Sequence, residues 1–342
     1  MKALYFMEHG GPEVLRFGDV PEPEPGPGQA LIRVNSVALN HLDIWVRKGL
    51  PGLELPKPHI GGSDVAGVVA AYGPGASGPA AGSAVIVDPG IVLGEDSWTW
   101  AGEESVSPHY HILGEDLRGG CAEYVVVPAR NLLPMPDGFD FAKAAAPILV
   151  GLTAWRMLVK RARLRAGETV AIIGAGGGVN SISIQIAKHL GATVYAVTST
   201  PEKMRKTEEL GADYVINARE EDWSKAVFLM TGKRGVDVVV DNVGQATLNA
   251  SLRTVARGGR VVTVGGTSGP KAEIDLRLLF RKQLTVIGST MGSHEDFLEV
   301  MSLVWAGVLK PVIDRVIPLR EGRAAQERLE AGAQFGKIVL KV

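Results

Sequence analysis

Cysteine is almost absent: the single residue, Cys121, excludes an intramolecular disulfide and any cysteine-rich metal site. Neither charge sign is in excess. With 36 Lys and Arg against 37 Asp and Glu the net charge is -1, which leaves no electrostatic footprint for nucleic acid or an anionic membrane. Hydrophobic residues make up 46% of the chain but fall in short runs, none approaching the roughly 20 apolar residues of a membrane span. The opening Met1-Lys2-Ala3-Leu4-Tyr5 lacks the apolar core of a signal peptide and reads as a strand, so a cytoplasmic location is inferred. The partner left by these exclusions is a small molecule or another subunit.

Glycine is abundant, 43 residues of 342, and its distribution organises the rest. A chain this long exceeds the size at which one core stops growing, so two domains are expected. From Met1 to about Ala145, Gly and Pro punctuate short apolar runs at 30–37, 67–71, 84–87 and 122–127, the texture of a mainly β domain. From Leu149 strand and helix signals alternate. Strand runs at 169–173 and 193–197 are each followed by a helix, over 181–190 and 201–210, and further strands fall at 214–216, 236–240, 260–264 and 284–287. Alternation of this kind predicts right-handed crossovers and a doubly wound parallel sheet over residues 148–291. The tail from Gly292, with an amphipathic helix over 295–305, is expected to rejoin residues 1–147 and leave a cleft between two lobes.

Gly174-Ala175-Gly176-Gly177-Gly178-Val179-Asn180 lies directly between a strand and a helix. There, glycines let the backbone approach a pyrophosphate and the helix N-terminus favours its charge. The match to Gly-X-Gly-X-X-Gly is imperfect. Counting from Gly174, Val179 takes the sixth position, and in another register Asn180 stands where the third glycine is usual. At the end of the second strand, where a carboxylate would hold the ribose hydroxyls of NAD, the chain has Thr198-Ser199-Thr200 with Lys203 and Arg205 beyond. Hydroxyls and cations accept a 2′-phosphate that a carboxylate would repel, so NADP(H) is the expected cofactor. Lys203 and Arg205 as a solvated helix face is the competing reading.

These residues, with Ala38-Leu39-Asn40-His41-Leu42-Asp43, Gly67-Val68-Val69, Gly151-Leu152-Thr153-Ala154, Asp241-Asn242-Val243-Gly244 and Gly288-Ser289-Thr290-Met291-Gly292, resemble the medium-chain dehydrogenase/reductase superfamily of zinc-type alcohol dehydrogenases and quinone oxidoreductases. The resemblance covers nearly the whole chain. It implies an α/β protein with a GroES-like catalytic domain (1–147 and 292–342), a Rossmann domain (148–291), hydride transfer in the cleft, and a homodimer or homotetramer. It also implies that Thr153, Gly265-Gly266-Thr267 and Ser289-Thr290-Met291 lie near the nicotinamide, with Asn242 and Val243 also in the cofactor site. Apolar strands at 261–264 and 284–287 would meet at one sheet edge, which relatives pair across a two-fold axis.

The zinc ligands of that family are missing. Where zinc-dependent relatives have Cys-His-Ser/Thr-Asp this chain has Asn40-His41-Leu42-Asp43; Gly62-Ser63-Asp64 replaces Gly-His-Glu; and the third ligand falls near Pro147-Ile148. Catalytic zinc needs three protein ligands and one open position, so no zinc is expected. Repair by His41, Asp43, His59 or Asp64 is the alternative. In the structural-zinc lobe the four cysteine positions become Leu93, Asp96, Thr99 and Ser107, and Trp98 and Trp100 are expected either to supply apolar packing in the metal's place or to face solvent or an interface.

Without a Lewis acid an unactivated alkoxide has little to stabilise it, whereas a quinone or enone spreads the incoming charge onto an oxygen that hydrogen-bond donors can hold. Quinone oxidoreductases resemble this chain in having Asn, Asp, an aromatic and Arg at the positions of Asn40, Asp43, Trp45 and Arg47, which favours the zinc-free branch. The candidate catalytic residues are therefore Asn40 as donor, His41 as proton source or cofactor contact, and Asp43 and Asp64 as orienting carboxylates. Trp45, His109, Tyr110 and His111 are candidates for the substrate pocket. No cation is expected at the site, so uncharged donors would polarise the substrate. Three functions stay open: an NADPH-dependent reductase of quinones, enones or activated ketones; a zinc alcohol dehydrogenase with atypical ligands; and an NADPH-binding protein whose catalysis has decayed.

Overall fold

The computed structural model describes residues 1–342, which divide into two compact units. Unit 1 comprises Met1–Leu149, Ser293–Trp305 and Pro311–Val342, and unit 2 comprises Val150–Gly292 and Ala306–Lys310. The short segment Ala306–Lys310 thus groups with unit 2 rather than with the tail around it. Gln185 holds it there, accepting Lys310 N–H at 2.8 Å and donating to its carbonyl at 3.0 Å.

Unit 1 is built on a seven-stranded sheet in the hydrogen-bonded order Leu132–Pro134, Ala84–Val87, Asp64–Tyr72, Gln29–Ala38, Lys337–Lys341, Ile313–Pro318, with Tyr124–Pro128 also pairing with Gln29–Ala38. The strand Gln29–Ala38 is central. Its Ile32, Val37 and Ala38 are fully buried, as expected of a strand covered on both faces. The register brings Ala38 opposite Asp64 on one side and Val339 on the other. Three strand ends drawn from opposite extremes of the sequence therefore converge just beyond Ala38. The backbone then turns into the helix His41–Lys48, whose third residue, Asp43, accepts the Asn40 N–H at 2.7 Å and satisfies one donor left over at the helix start.

The lobe between Pro89 and Pro108 is tied by hydrogen bonds centred on Asp96. Asp96 Oδ1 accepts the N–H groups of Trp98 and Thr99 at 2.9 Å each, and Oδ2 accepts the Ser107 hydroxyl at 2.9 Å. Thr99 Oγ1 completes the set by accepting Asp96 N–H at 2.9 Å. Three of the four positions that resemble cysteine ligands are thus joined by polar bonds. Of the two alternatives for the tryptophans, the structure has the exposed one rather than apolar packing in the metal's place: Trp98 and Trp100 are 48% and 75% exposed. A capping carboxylate reaches both ends of the loop, whereas the two indoles project from it.

Unit 2 carries a parallel six-stranded sheet: β1 (Thr169–Ile173), β2 (Thr193–Thr198), β3 (Tyr214–Asn217), β4 (Val236–Asp241), β5 (Val255–Thr263) and β6 (Thr285–Gly288). The order β3-β2-β1-β4-β5-β6 is the doubly wound arrangement, with its switch point between β1 and β4. Val170, Ala171 and Ile172 of β1 are fully buried, which explains the continuous apolar run there. β5 begins at Val255, earlier than the apolar run at 260 indicates. A register shift separates the pairs Val236–Val255 and Val238–Arg260, and Gly258, at φ 72°, lies in the extra stretch. β6 is the edge strand, and near it Val286, Leu276 and Phe280 are exposed apolar residues. The helical stretch Phe141–Arg161 is long and apolar enough to cross a membrane, but 89% of its apolar window is buried inside the protein, as in a core helix.

Candidate active site

In unit 1, the convergence of strand ends places Asn40, Asp64 and Lys337 together. Asn40 Nδ2 donates to Asp64 Oδ2 at 3.0 Å, and Lys337 Nζ donates to the same carboxylate oxygen at 2.8 Å and to Asn40 Oδ1. Asp64 Oδ1 accepts the Leu149 N–H at 2.8 Å, next to the apolar Ile148. All three side chains are buried, Lys337 to 4% exposure and Asp64 completely. The expectation that no cation reaches the site is therefore wrong. Lys337 was missed because it opens an apolar strand near the C-terminus; the available signal was a lysine leading straight into Ile338-Val339-Leu340, where the strand that follows is buried.

Asp43 lies beside this cluster with Oδ2 on Asn40 N–H and Oδ1 on Gly62 N–H at 2.8 Å. Burial pushes its carboxyl up to about 6, against the pull of those two backbone donors and the Lys337 charge. Burial also raises Asp64, opposed by Lys337 and by the Asn40 and Leu149 donors. His41 is held below its ordinary value by burial and then by Lys337. Its ring stands 6.3 Å from that of Trp45, which is half-buried. Asp43 thus ties the turn that carries Asn40 to Gly62, and Asp64 holds both Asn40 and Lys337 directly.

Other candidates are spent within the protein. Arg47 is fully buried and paired with Glu330 at 2.7 Å. His111 Nδ1 is bonded to Asp116, while His109 packs against Gly94 and Tyr110 against Gly90. His59 is fully buried, with Nε2 3.3 Å from the Gly114 carbonyl, and burial depresses its pKa to about 4. No group of three His, Cys, Asp or Glu side chains is arranged to hold a metal ion.

In unit 2, the turn after β1 forms a cradle. Gly174 has φ 83°, a conformation that favours glycine. A Cβ at Gly177 would meet only the Gly174 carbonyl, at 3.6 Å, so the backbone is open to a ligand there. The helix Gly178–His189 begins at Gly177 with no side-chain cap and no acidic residue in its first turn, leaving the N–H groups around Gly178 and Val179 available to an anion. Asn180, in place of a third glycine, braces this turn. Its Nδ2 donates to the Ile173 and Gly174 carbonyls at 2.7 and 3.1 Å, and its Oδ1 accepts from Asn242 Nδ2 at 2.8 Å. The cradle fits a dinucleotide pyrophosphate.

The remaining cofactor candidates surround the same strand ends. Ser199 and Thr200 close β2, both half-buried, and Thr200 Oγ1 caps the helix Pro201–Glu209 by accepting Lys203 N–H at 3.3 Å. Lys203 is half-buried in that first turn, and Arg205 is exposed. Asn242 Oδ1 accepts Val264 N–H at 3.0 Å and its carbonyl accepts Thr267 N–H at 3.4 Å, which holds Gly265 and Gly266 beside Val243 and Gly244. Ser289 N–H bonds the Thr263 carbonyl at 2.9 Å, and its buried hydroxyl has no partner in the protein. Thr153 Oγ1 lies 4.0 Å from Met291 Sδ, with Met291 at φ 44° and Thr290 exposed between it and Ser289.

Two family models match the chain: the alcohol dehydrogenase GroES-like domain over residues 26–137 and the zinc-binding dehydrogenase domain over residues 178–306. The chain is similar to a protein of Sulfurisphaera tokodaii named NAD-dependent alcohol dehydrogenase, at 33% identity over 99% of each chain. It is equally similar to the quinone oxidoreductase of Pongo abelii, at 32% identity over 99% of this chain and 97% of the relative. Among solved structures, one described as an NAD-dependent alcohol dehydrogenase superposes with a TM-score of 0.96 at 42% identity, covering 100% of both chains.

Proposed function

This chain belongs to the medium-chain dehydrogenase/reductase superfamily of oxidoreductases, and from that premise we propose that it is an NADPH-dependent reductase of quinones, enones or activated ketones that works without zinc. The observation that carries the reading is the Asn40–Asp64–Lys337 cluster. Of the positions where zinc relatives place ligands, Asn40 has its amide oxygen engaged by an ammonium, Ser63 carries only a hydroxyl and Ile148 offers no lone pair, so the residues do not fit a zinc ion. Asn40 instead supplies an N–H donor in a water-poor setting, where it favours an oxygen on which charge is developing.

Bound NADPH supplies the hydride; the substrate takes it together with one proton, so a quinone leaves as its hydroquinone and NADP⁺ remains. Asn40 binds the substrate carbonyl oxygen, Asp43 and Asp64 hold the turn and the amide in place, and His41 is the protein group proposed to relay the proton. For the cofactor, the Gly174–Val179 turn takes the pyrophosphate, Ser199, Thr200 and Lys203 take the 2′-phosphate, and the unpartnered Ser289 hydroxyl with Thr153, Thr267 and Met291 meets the nicotinamide end. The absence of a carboxylate at the end of β2 supports NADPH over NADH. The exposed edge strand β6 with Val286, Leu276 and Phe280 supports a homodimer or larger homo-oligomer.

The test is NADPH oxidation with a panel of quinones and cyclic enones, with and without chelator, alongside NADH. Chelator-insensitive turnover that favours NADPH supports the proposal, and no turnover on any acceptor overturns it. The names of several relatives support a second reading, alcohol oxidation with NAD. Stoichiometric zinc, with alcohol dehydrogenase activity lost on chelation, would establish that reading instead.

A further inference from the structure

We propose that Lys337 is a positioning residue whose ammonium, anchored by Asp64, fixes and polarises the Asn40 amide so that its remaining Nδ2 proton serves the substrate oxygen. This rests on the carbonyl-reductase reading above. The amide orientation is dictated by chemistry: an ammonium only donates and an ionised carboxylate only accepts. Asn40 Oδ1 must therefore face Lys337, and Nδ2 must face Asp64. That commits one Nδ2 proton to Asp64 Oδ2 at 3.0 Å and leaves the second without a protein partner.

A lysine at 4% exposure is costly to bury, and an ion pair of this kind gives little net stability compared with an apolar pair. What it does supply is a positive charge directly on the amide oxygen. In a chain of hydrogen bonds each member strengthens the next, so a cation on Oδ1 makes the Nδ2 protons better donors. Lys337 thereby gives the site part of what a metal cation gives relatives, acting through the amide rather than by coordinating the substrate.

The experiment compares the wild type with Lys337→Met, Lys337→Arg, Asn40→Ala and the double variant Asn40→Ala/Lys337→Met, using NADPH and a quinone found active in the wild type. Expected is a kcat loss of about tenfold for Lys337→Met, below the 10²–10³ of removing an oxyanion donor outright. NADPH affinity should be unchanged, Lys337→Arg should recover part of kcat, and the double variant should be no slower than Asn40→Ala. Losses that multiply in the double variant would mean that Lys337 acts on the substrate by itself and would overturn the proposal, as would a fully active Lys337→Met. An activity-free readout accompanies it: the Asn40 side-chain amide signals, assigned by NMR from their loss in Asn40→Ala, should shift in Lys337→Met. Unshifted signals overturn the inference even if the wild type turns over no acceptor, whereas an inactive wild type with shifted signals counts against the functional reading alone. If Lys337→Met does not fold, Asp64→Leu/Lys337→Met removes both charges and replaces it in the kinetic comparison. Retention of wild-type kcat in that variant overturns the proposal.

Discussion

Lys337 and Asp64 are 273 residues apart in the chain, yet Nζ and Oδ2 lie 2.8 Å apart in the interior of unit 1. The pairing follows from one register: Asp64 and Val339 flank Ala38 on neighbouring strands, so the residues just outside that row meet. Removing one partner strands a buried charge, whereas removing both does not. Asp64→Leu is expected to cost about 3–5 kcal/mol, and Asp64→Leu/Lys337→Met to recover most of it. Urea unfolding of the three proteins checks this, and a double variant no more stable than the single would contradict it.

Asp43 and His59 should tilt stability in opposite directions with pH. Asp43 titrates near 6 when folded and near 3.8 when unfolded, so between these values the folded state holds the extra proton and stability falls as pH rises. His59 titrates near 4 when folded and near 6.5 when unfolded, so the unfolded state holds the proton and stability rises with pH. Each effect amounts to about 3 kcal/mol, and they largely offset. His59→Leu should therefore show stability decreasing from pH 4 to 6 relative to wild type, and Asp43→Asn the reverse, measured by urea titrations at each pH.

The lobe carrying Trp98 depends on Asp96 for its closure. Asp96→Ala removes an N-cap and the bond to Ser107 together, so the lobe is expected to open locally more often. Hydrogen exchange should quicken at residues 97–107 while the sheet strand Gln29–Ala38 stays protected. Ser107→Ala should produce a smaller change in the same peptides.

Cofactor choice should respond to a single carboxylate. Ser199→Asp places a negative charge at the end of β2, where it repels a 2′-phosphate and accepts from ribose hydroxyls. The KM for NADPH is expected to rise at least about tenfold and that for NADH to fall, with kcat little altered, since tenfold corresponds to about 1.4 kcal/mol. Unchanged NADPH kinetics would detach residue 199 from the phosphate.

Restoring the glycine fingerprint should harm the protein. Asn180→Gly removes three hydrogen bonds that brace the turn from Ile173 to Asn242 and puts a glycine inside a helix. Thermal unfolding should drop by several degrees, and NADPH should bind more weakly by isothermal titration. A gain in affinity would mean that the third glycine, not the brace, is what the turn lacks.

Much of the molecule was written locally. Strand runs such as Thr169–Ile173 and the glycine turn after them carry their conformation in short-range chemistry: apolar continuity for a buried strand, and a backbone at Gly174 that favours glycine. The loss of cysteines at the ligand positions was equally plain, because a missing donor needs no geometry to be noticed. What replaced those donors could not be seen that way. Asp96 in the lobe, Asn180 in the turn and Lys337 in the core each act through bonds to partners that only the fold brings near.

The sequence by itself determined the alternation that gives a doubly wound sheet, the placement of the glycine turn between β1 and the helix after it, and the absence of a thiolate at every ligand position. The tertiary structure alone decided that a cation stands on Asn40. Strand register joins residues near 40, 64 and 337, and no periodicity in the chain encodes which strand ends meet.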